Sequence, residues 1–371
     1  MRAFLAALIV ALLAPLALAQ DIVIGHYGSL TGGTATFGQS TRDGIELALD
    51  EINSSGGVLG RKVVVIHEDD QSKPEEAVTA VQKLITQNKV VAIIGEVASS
   101  RTLAAAPIAQ RAKIPMLSSA STNPKVTLVG NYIFRACFID PVQGSAMAGF
   151  AMKELKLKKF AILYDVKNDY SLGLREFFSA AIKKSGGEII ADESYGEGDR
   201  DFKAQLTKIK NTNPEAIYVP GYYQEAALIC RQARELGITV PLMGGDGWDS
   251  DKTAQIGGDA VNGNYFTNHY SEQEERPAVK KFVESFGKKY GGRVPDAMAV
   301  LGYDSMKLMA DAITRAGNTK PKPIRDALAA TKDFPGAGGN ITMDENRNAN
   351  KPIVVLKIEG GKFKYVSSIN P

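Results

Sequence analysis

Few residues of this 371-residue chain stand where they could do covalent or metal chemistry. The three histidines, His26, His67 and His269, are scattered, and no pair has the spacing of a metal-binding H-E-x-x-H helix. There is no G-x-x-x-x-G-K-[ST] phosphate loop and no G-x-G-x-x-G between a strand and a helix. Gly144-Ser145 with Gly149 does not make the G-x-S-x-G elbow of a serine hydrolase. Asp69-Asp70 follows an apolar run, but no further spaced carboxylates join it, so it reads as a solvated strand-end loop rather than a cation site. No catalytic residue, metal ligand or cofactor is expected.

What the sequence offers instead is a set of loops suited to holding a small molecule. Ser29 to Gln39, with Phe37, follows one apolar run. Gly95-Glu96-Val97-Ala98-Ser99-Ser100-Arg101-Thr102 follows another and opens a helix, and Ser118 to Pro124 follows a third. Further on come Asp169-Tyr170, Gly221-Tyr222-Tyr223 and Gly244-Gly245-Asp246-Gly247-Trp248. The first group presents small hydroxyls and helix N-termini, which suit a carboxylate. The second presents aromatic rings and one carboxylate, which suit an ammonium and an apolar group. Together they describe a site for an amino acid. Arg101, one turn into its helix, is expected in solvent. A lone Ser or Thr in such loops also caps helices, and Ser99 is expected to do both jobs.

These loops must be positioned by the elements between them. Apolar runs at Ile22-Ile24, Val63-Ile66, Val90-Ile94 and Met116-Leu117 alternate with helical stripes such as Ile45, Ala48, Leu49, Ile52 and Val78, Val81, Ile85. Continuous apolar strands alternating with amphipathic helices predict a parallel sheet covered on both faces. The order then recurs: strands at Phe160-Leu163, Ile189-Ile190, Ile217-Val219 and Leu242-Met243, with helical stripes between them. Ile114-Pro115-Met116-Leu117 has its counterpart in Val240-Pro241-Leu242-Met243, and Gly56-Gly57 in Gly186-Gly187, at an offset of about 130 residues. Two similar α/β lobes in tandem follow. In ligand-binding open sheets of this kind the site lies outside the carboxyl ends of the strands. A stripe at Val279, Phe282, Val283 and Phe286, a helix over about 296–316 and late strands at Ile353-Leu356 and near Tyr365 are too few for a third domain. They are expected to complete the two lobes, so that the chain crosses between them more than once.

Composition narrows the class further. Lys and Arg number 44 against 41 Asp and Glu, a net charge of +3 that gives no strong handle on nucleic acid. Hydrophobic content of 44% excludes disorder, and two cysteines cannot form a disulfide scaffold. Cys230 falls on the stripe Ala226, Ile229, Cys230, Ala233, and Cys137 sits among Ile133, Phe134 and Phe138 in an expected strand. Both read as small buried hydrophobes, a bridge being the alternative. Arg2, the apolar stretch Ala3–Ala14, Pro15 and Ala17-Leu18-Ala19 have the pattern of a secretory signal peptide cleaved after Ala19. The mature chain is expected to be soluble and exported, with no membrane-spanning or effector segment after Pro371.

The layout resembles the periplasmic branched-chain amino acid binding proteins of ABC transporters, the type I solute-binding family. The resemblance runs through Gly25 to Gly38 with Thr31-Gly32, Asp50-Glu51-Ile52-Asn53, Glu68-Asp69-Asp70, Ile94-Gly95 with Ser99-Ser100, Ser121-Thr122-Asn123-Pro124, Gly221-Tyr222, Arg231-Gln232-Ala233-Arg234 and Gly245-Asp246-Gly247. It covers essentially the whole mature chain. It implies two Rossmann-like lobes, 20–139 with 269–346 and 140–268 with 347–371, joined by a multi-crossover hinge and closing on the ligand. By the same resemblance, Ser99 would donate its hydroxyl and backbone N–H to a ligand carboxylate. Thr122 would contact the carboxylate and the ammonium, with the Ala120 carbonyl accepting from the ammonium. Asp246 takes the place where the family has an acidic ammonium partner, usually Glu. Tyr170 and Tyr222 would close over the ligand. Phe37, Val97, Ala98 and Trp248 would line the side-chain pocket, a surface position being the alternative for Trp248. Glu96 departs from the pattern: it either points away from Val97 or enters the pocket and favours a cationic ligand. The resemblance further implies a monomer in the periplasm that binds a neutral, aliphatic amino acid, delivers it to an ABC permease and is not an enzyme. The alternatives are an aromatic acid, amide or cationic amino acid as ligand, or a sensory module.

Overall fold

The computed structural model describes residues 20–369; the expected signal peptide, 1–19, and the last two residues lie outside them. Strands β1 (Ile22–Gly28), β2 (Val63–Asp69), β3 (Ala92–Ile94), β4 (Met116–Ser118) and β5 (Ile133–Arg135) form a wholly parallel sheet in the order β2-β1-β3-β4-β5. Strands β6 (Lys159–Asp165), β7 (Glu188–Tyr195), β8 (Ala216–Tyr218), β9 (Leu242–Gly244) and β10 (Tyr265–Asn268) repeat the pattern as β7-β6-β8-β9-β10. The repeat read from the punctuation is therefore a repeat of topology. In each sheet the strand order reverses beside the first strand, and there the βα loops splay apart and leave a crevice.

After β10 the chain returns to the first lobe. Helices Pro277–Lys289 and Ala297–Ala316 pack there, the second directly across Ala35–Ser54. That crossing requires glycine: a Cβ on Gly44 would lie 1.9 Å from the Ala299 carbonyl oxygen, and one on Gly302 2.2 Å from that of Thr41. The helix over 296–316 is bounded as its sequence reads. Asp296 is the N-cap, accepting from the Ala299 N–H at 2.9 Å, and Gly317 ends it in the left-handed region. A small sheet of β11 (Phe334–Gly336), β12 (Gly339–Met343) and β13 (Ala349–Asn350) follows. The chain then crosses again, and β14 (Ile353–Glu359) and β15 (Lys362–Ile369) add antiparallel to β10.

The central strands are buried on both faces. Ile22, Ile24, Ile94, Leu117 and Phe134 meet Met309 and Ile313 in one core, while Leu163, Ile217, Leu242 and Phe266 meet Ile229 and Leu206 in the other. Each such side chain contributes about 1.5–3 kcal/mol on burial. Among the described residues, no helix is long and apolar enough to cross a membrane.

Three local expectations are corrected. The segment around Phe37 is helical from Ala35, so Phe37 projects from a first turn rather than a loop. Cys137 lies just beyond β5, in the first crossing between lobes; both cysteines are buried and free, and burial pushes each thiol up to about 12. Asp70 is not solvated: it is fully buried, with Oδ1 within hydrogen-bond distance of the Ser29 hydroxyl at 2.8 Å and accepting from the Ser72 N–H at 3.0 Å.

Candidate functional site

The loops after β1, β3, β4, β6, β8 and β9 face one another across the cleft between the two sheets. On the first lobe, helix Ser99–Ala112 begins at the cleft. Its first-turn N–H groups have no intrahelical acceptor, which makes its start a seat for an anion. The N-cap is Ala98, which has no capping side chain. Ser99 therefore does not cap. Its Oγ accepts from the Asn123 N–H at 3.2 Å and keeps its own proton to donate. The loop Ser121–Pro124 is held from behind by Arg135, a fully buried side chain that donates to the Ser121 carbonyl and, at 2.8 Å, to that of Asn123. This brings Thr122 and Ala120 to the cleft beside Val97 and Ala98, in one cluster with Phe37, Tyr170 and Tyr222.

On the second lobe Asp246 is the centre. Its Oδ1 accepts from Gln143 Nε2 at 3.0 Å and the Tyr170 hydroxyl at 2.9 Å, and its Oδ2 lies 2.9 Å from His269 Nε2. Gln143 Oε1 in turn accepts from the Asp246 N–H and the Thr267 hydroxyl, both at 2.9 Å. Burial lowers the pKa of His269 despite Asp246, so the ring is neutral and donates through Nε2. A carboxylate offers about four acceptor positions, so Asp246 keeps one on Oδ2. Tyr170 is spent: it donates to Asp246 and accepts from the Gly247 N–H at 3.0 Å, leaving its ring, stacked on Tyr222 at 5.2 Å, to form a wall. Asn168 fixes that turn by capping, accepting from the Tyr170 N–H at 3.0 Å.

Several buried polar atoms here have no partner among the described residues: Thr122 Oγ1, both Asp140 oxygens, the Tyr218 hydroxyl and His269 Nδ1. They are neighbours. Asp140 faces Thr122 and Gln143, and Asp140 and Asp246 both raise the Tyr218 phenol beyond what burial does. Burial pushes Asp140 up to about 8, Thr122 opposing and the Asp246 charge adding. Orphaned polar atoms are rare in protein interiors, and this group lies where a polar ligand would satisfy them. Two carboxyl groups and a helix N-terminus across a narrow cleft match the two ends of a zwitterion.

The two lobes touch at the rim. The Tyr223 hydroxyl donates to the Gly33 carbonyl at 3.0 Å, the Asp169 N–H to Ser100 Oγ at 2.9 Å, and Asn123 Nδ2 to the Asp169 carbonyl at 2.7 Å. Phe37 meets Tyr222 and Tyr223 edge-on at 5.6 and 5.0 Å. Asp249 of the second lobe accepts from the Ala297 N–H of the first at 2.7 Å, which brings it against Asp296. Burial raises both carboxyl groups; Asp296 adds to the rise of Asp249, while Ser40, the Ala299 N–H and Arg293 hold Asp296 down. Asp249 is buried against the opposite lobe, so if opening returns it to water, closure takes up protons at this group. The gain is full below the ordinary carboxylate value, about 4, and is lost as pH rises through the raised values. Ligand affinity is therefore expected to fall by several-fold between pH 5 and pH 8, with a flatter profile in Asp249→Asn. Titration calorimetry across that range checks it; an identical slope in the variant refutes the assignment.

Two expected positions are corrected. Trp248 does not line the pocket. Its Nε1 donates to the Val219 carbonyl at 3.0 Å, and its ring is fully buried in the second lobe with Phe266 and Val261. Arg101 is not solvated but 3% exposed, paired with Glu96 at 3.1 Å. Glu96 points away from Val97, back toward Ser29. Sequence reading missed Asp140, Gln143, Tyr218 and His269. Asp140 and Gln143 look like an ordinary acidic first turn with Pro141, and nothing local marks a lone histidine after a strand as an aspartate's partner.

A cleft whose opposite lobes receive opposite charges belongs to a protein that closes on its ligand, and the chain belongs to the periplasmic binding protein family, whose model matches residues 21–362. Its fold is that of the type I members. It is 31% identical to the Leu/Ile/Val-binding protein homolog 3 of Brucella melitensis, over 92% of this chain and 93% of that one. Among solved structures, the leucine binding protein LivK of Thermotoga maritima superposes with a TM-score of 0.91 at 43% identity, covering 94% of this chain and 99% of that one. The branched-chain amino acid binding protein LivJ of Streptococcus pneumoniae, in complex with isoleucine, gives 0.90 at 35% identity, over 95% and 100%.

Proposed function

We propose that this chain is an extracytoplasmic solute-binding protein that captures a neutral, aliphatic amino acid between its lobes and delivers it to an ABC transporter permease. The observation that carries this reading is the position of the two charge-receiving groups on opposite lobes. The start of helix Ser99–Ala112 belongs to one and Asp246 to the other. A zwitterion bridging them stabilises the closed form over the open one, a population shift that a permease can read. Each charge-assisted hydrogen bond contributes about 1.5–3 kcal/mol, and burial of a leucine-sized side chain about as much, part of it offset by ordering of the ligand.

In this reading Ser99 and Thr122 hold the ligand carboxylate, and Asp246, Thr122 and the Ala120 carbonyl take its ammonium. Phe37, Val97, Ala98, Tyr170 and Tyr222 surround the side chain. Residues 20–139 with 269–350 form one jaw and 140–268 with 351–369 the other, the boundary expected at 346 falling instead after β13, which pairs with β12. The protein works as a monomer in the periplasm after removal of residues 1–19. The names of the relatives, leucine and Leu/Ile/Val binding, agree with the ligand class.

Thermal denaturation in the presence of a panel of amino acids, aromatic acids and amides tests the proposal. Leucine, isoleucine or valine at millimolar concentration is expected to raise the midpoint by several degrees. A rise with benzoate or an amide and none with any amino acid would overturn the ligand assignment.

A further inference from the structure

The amino acid reading of the cleft leaves unused the buried pair Glu96–Arg101 behind the side-chain wall. Glu96 is 1% exposed. Its Oε1 accepts from the Ser29 hydroxyl at 3.0 Å and the Ser29 N–H at 3.3 Å, and its Oε2 from the Ala98 N–H at 2.5 Å. Arg101 Nε lies 3.1 Å from that Oε2, and Nη2 donates to Thr34 Oγ1 at 2.8 Å. The Thr34 carbonyl receives the Phe37 N–H at 3.0 Å. The pair therefore ties together the two loops that present Val97, Ala98 and Phe37. Across the cleft, the Arg101 charge acts on the Tyr222 phenol.

The charge balance of this group follows from one hydroxyl. Ser29 Oγ is within hydrogen-bond distance of both Glu96 and Asp70, at 3.0 and 2.8 Å, yet carries a single proton. The second bond needs a proton from one of the acids. Asp70 is the one that holds it: Glu96 is the acid paired with Arg101, while Asp70 Oδ2 has no partner among the described residues and burial pushes Asp70 up to about 8. Burial alone would lower the pKa of Arg101, but Glu96 overrides it, so the guanidinium is charged. With Asp70 neutral, Glu96 negative and Arg101 positive, the wall has no net charge.

We propose that the Glu96–Arg101 pair determines which side-chain charge the cleft accepts, holding the wall neutral so that only uncharged side chains enter. The proposal rests on the amino acid reading above and adds the residues that set selectivity. A carboxylate or ammonium on the ligand side chain would lose its hydration and meet a pair already satisfied, with nothing to offset the loss. Neutralising Glu96 alone removes the charge that helps keep Asp70 protonated, so Asp70 would ionise in its place; neutralising both acids frees Arg101 and leaves the wall positive. Removing Arg101 leaves it negative.

The experiment is titration calorimetry of the full mature chain with leucine, glutamate and lysine, for the wild type, the double variant Glu96→Gln with Asp70→Asn, and Arg101→Met, with circular dichroism as the check of folding. The wild type is expected to bind leucine at least 100-fold more tightly than either charged amino acid. The double variant Glu96→Gln with Asp70→Asn should move the glutamate-to-leucine affinity ratio by 10-fold or more toward glutamate with no gain for lysine. Arg101→Met should move the lysine ratio in its own favour. Ratios that stay put in folded variants, or that move the same way in both, overturn the proposal. If neither variant folds, the wild-type panel decides: glutamate or lysine binding within 10-fold of leucine overturns it. A wild type that binds no amino acid at all overturns the amino acid reading itself, a result distinct from lost selectivity.

Discussion

Asp246→Ala is expected to weaken amino acid binding by about 100-fold or more while leaving the protein folded. In the proposed function a ligand ammonium would meet Asp246 where the carboxylate is 3% exposed, so that water would not replace it. A hydrogen bond between charged groups contributes about 1.5–3 kcal/mol, and stranding the other charge in a buried site adds to the loss. The effect is larger than one contact, because Asp246 also organises its neighbours. Without it the Tyr170 hydroxyl, Gln143 Nε2 and His269 Nε2 lose their common acceptor. Calorimetry with leucine measures the change. An unchanged affinity would mean that the ammonium is held elsewhere, Asp140 being another buried carboxyl group within reach of the Asp246 charge. Asp246→Asn separates the two contributions: it can still accept from Tyr170 but carries no charge for the ligand.

Arg135→Met is expected to lower the free energy of unfolding by about 2–4 kcal/mol and to cost ligand affinity as well. The guanidinium is fully buried and donates to the carbonyls of Ser121 and Asn123, which flank Thr122. Methionine fills much of the volume but leaves those carbonyls unpaired, at about 1–3 kcal/mol each. Part of the loss is offset, because the variant no longer buries a cation; burial already lowers the pKa of Arg135. Urea denaturation followed by circular dichroism gives the stability, and calorimetry the affinity. A change in stability below about 0.5 kcal/mol, the range of ordinary surface substitutions, would remove Arg135 as the support of this loop.

The architecture was legible in the sequence because it depends on periodicity and local stops. Apolar runs at Ile22-Ile24 and Ile217-Val219 become strands buried on both faces because no polar residue interrupts them. The helix at 297–316 begins after an aspartate cap and ends at a left-handed glycine, as its residues dictate. The repeat was legible for the same reason, and so was the position of the cleft, since strand ends in such sheets are fixed by topology. Ser99, Thr122, Tyr170, Tyr222 and Asp246 could be picked out as residues of suitable chemistry at those ends.

Only the tertiary structure decided what each side chain is used for. Arg101 and Trp248 show why. A charged residue in a first helical turn ordinarily faces water, but the Glu96 carboxylate, turned back under Ala98, gives Arg101 a partner in the interior. Trp248 follows a glycine loop that could open to the cleft, but the Val219 carbonyl, on a neighbouring strand-end loop, takes its indole N–H and draws it into the core. Asp140 and Gln143 come from the first turn of helix Asp140–Lys153 and His269 from the residue after β10, and they meet around Asp246 only because the chain crosses between lobes there. Periodicity records which face of an element is buried. It does not record which polar group from a distant segment will meet another, and in this protein the charge of the cleft depends on those meetings.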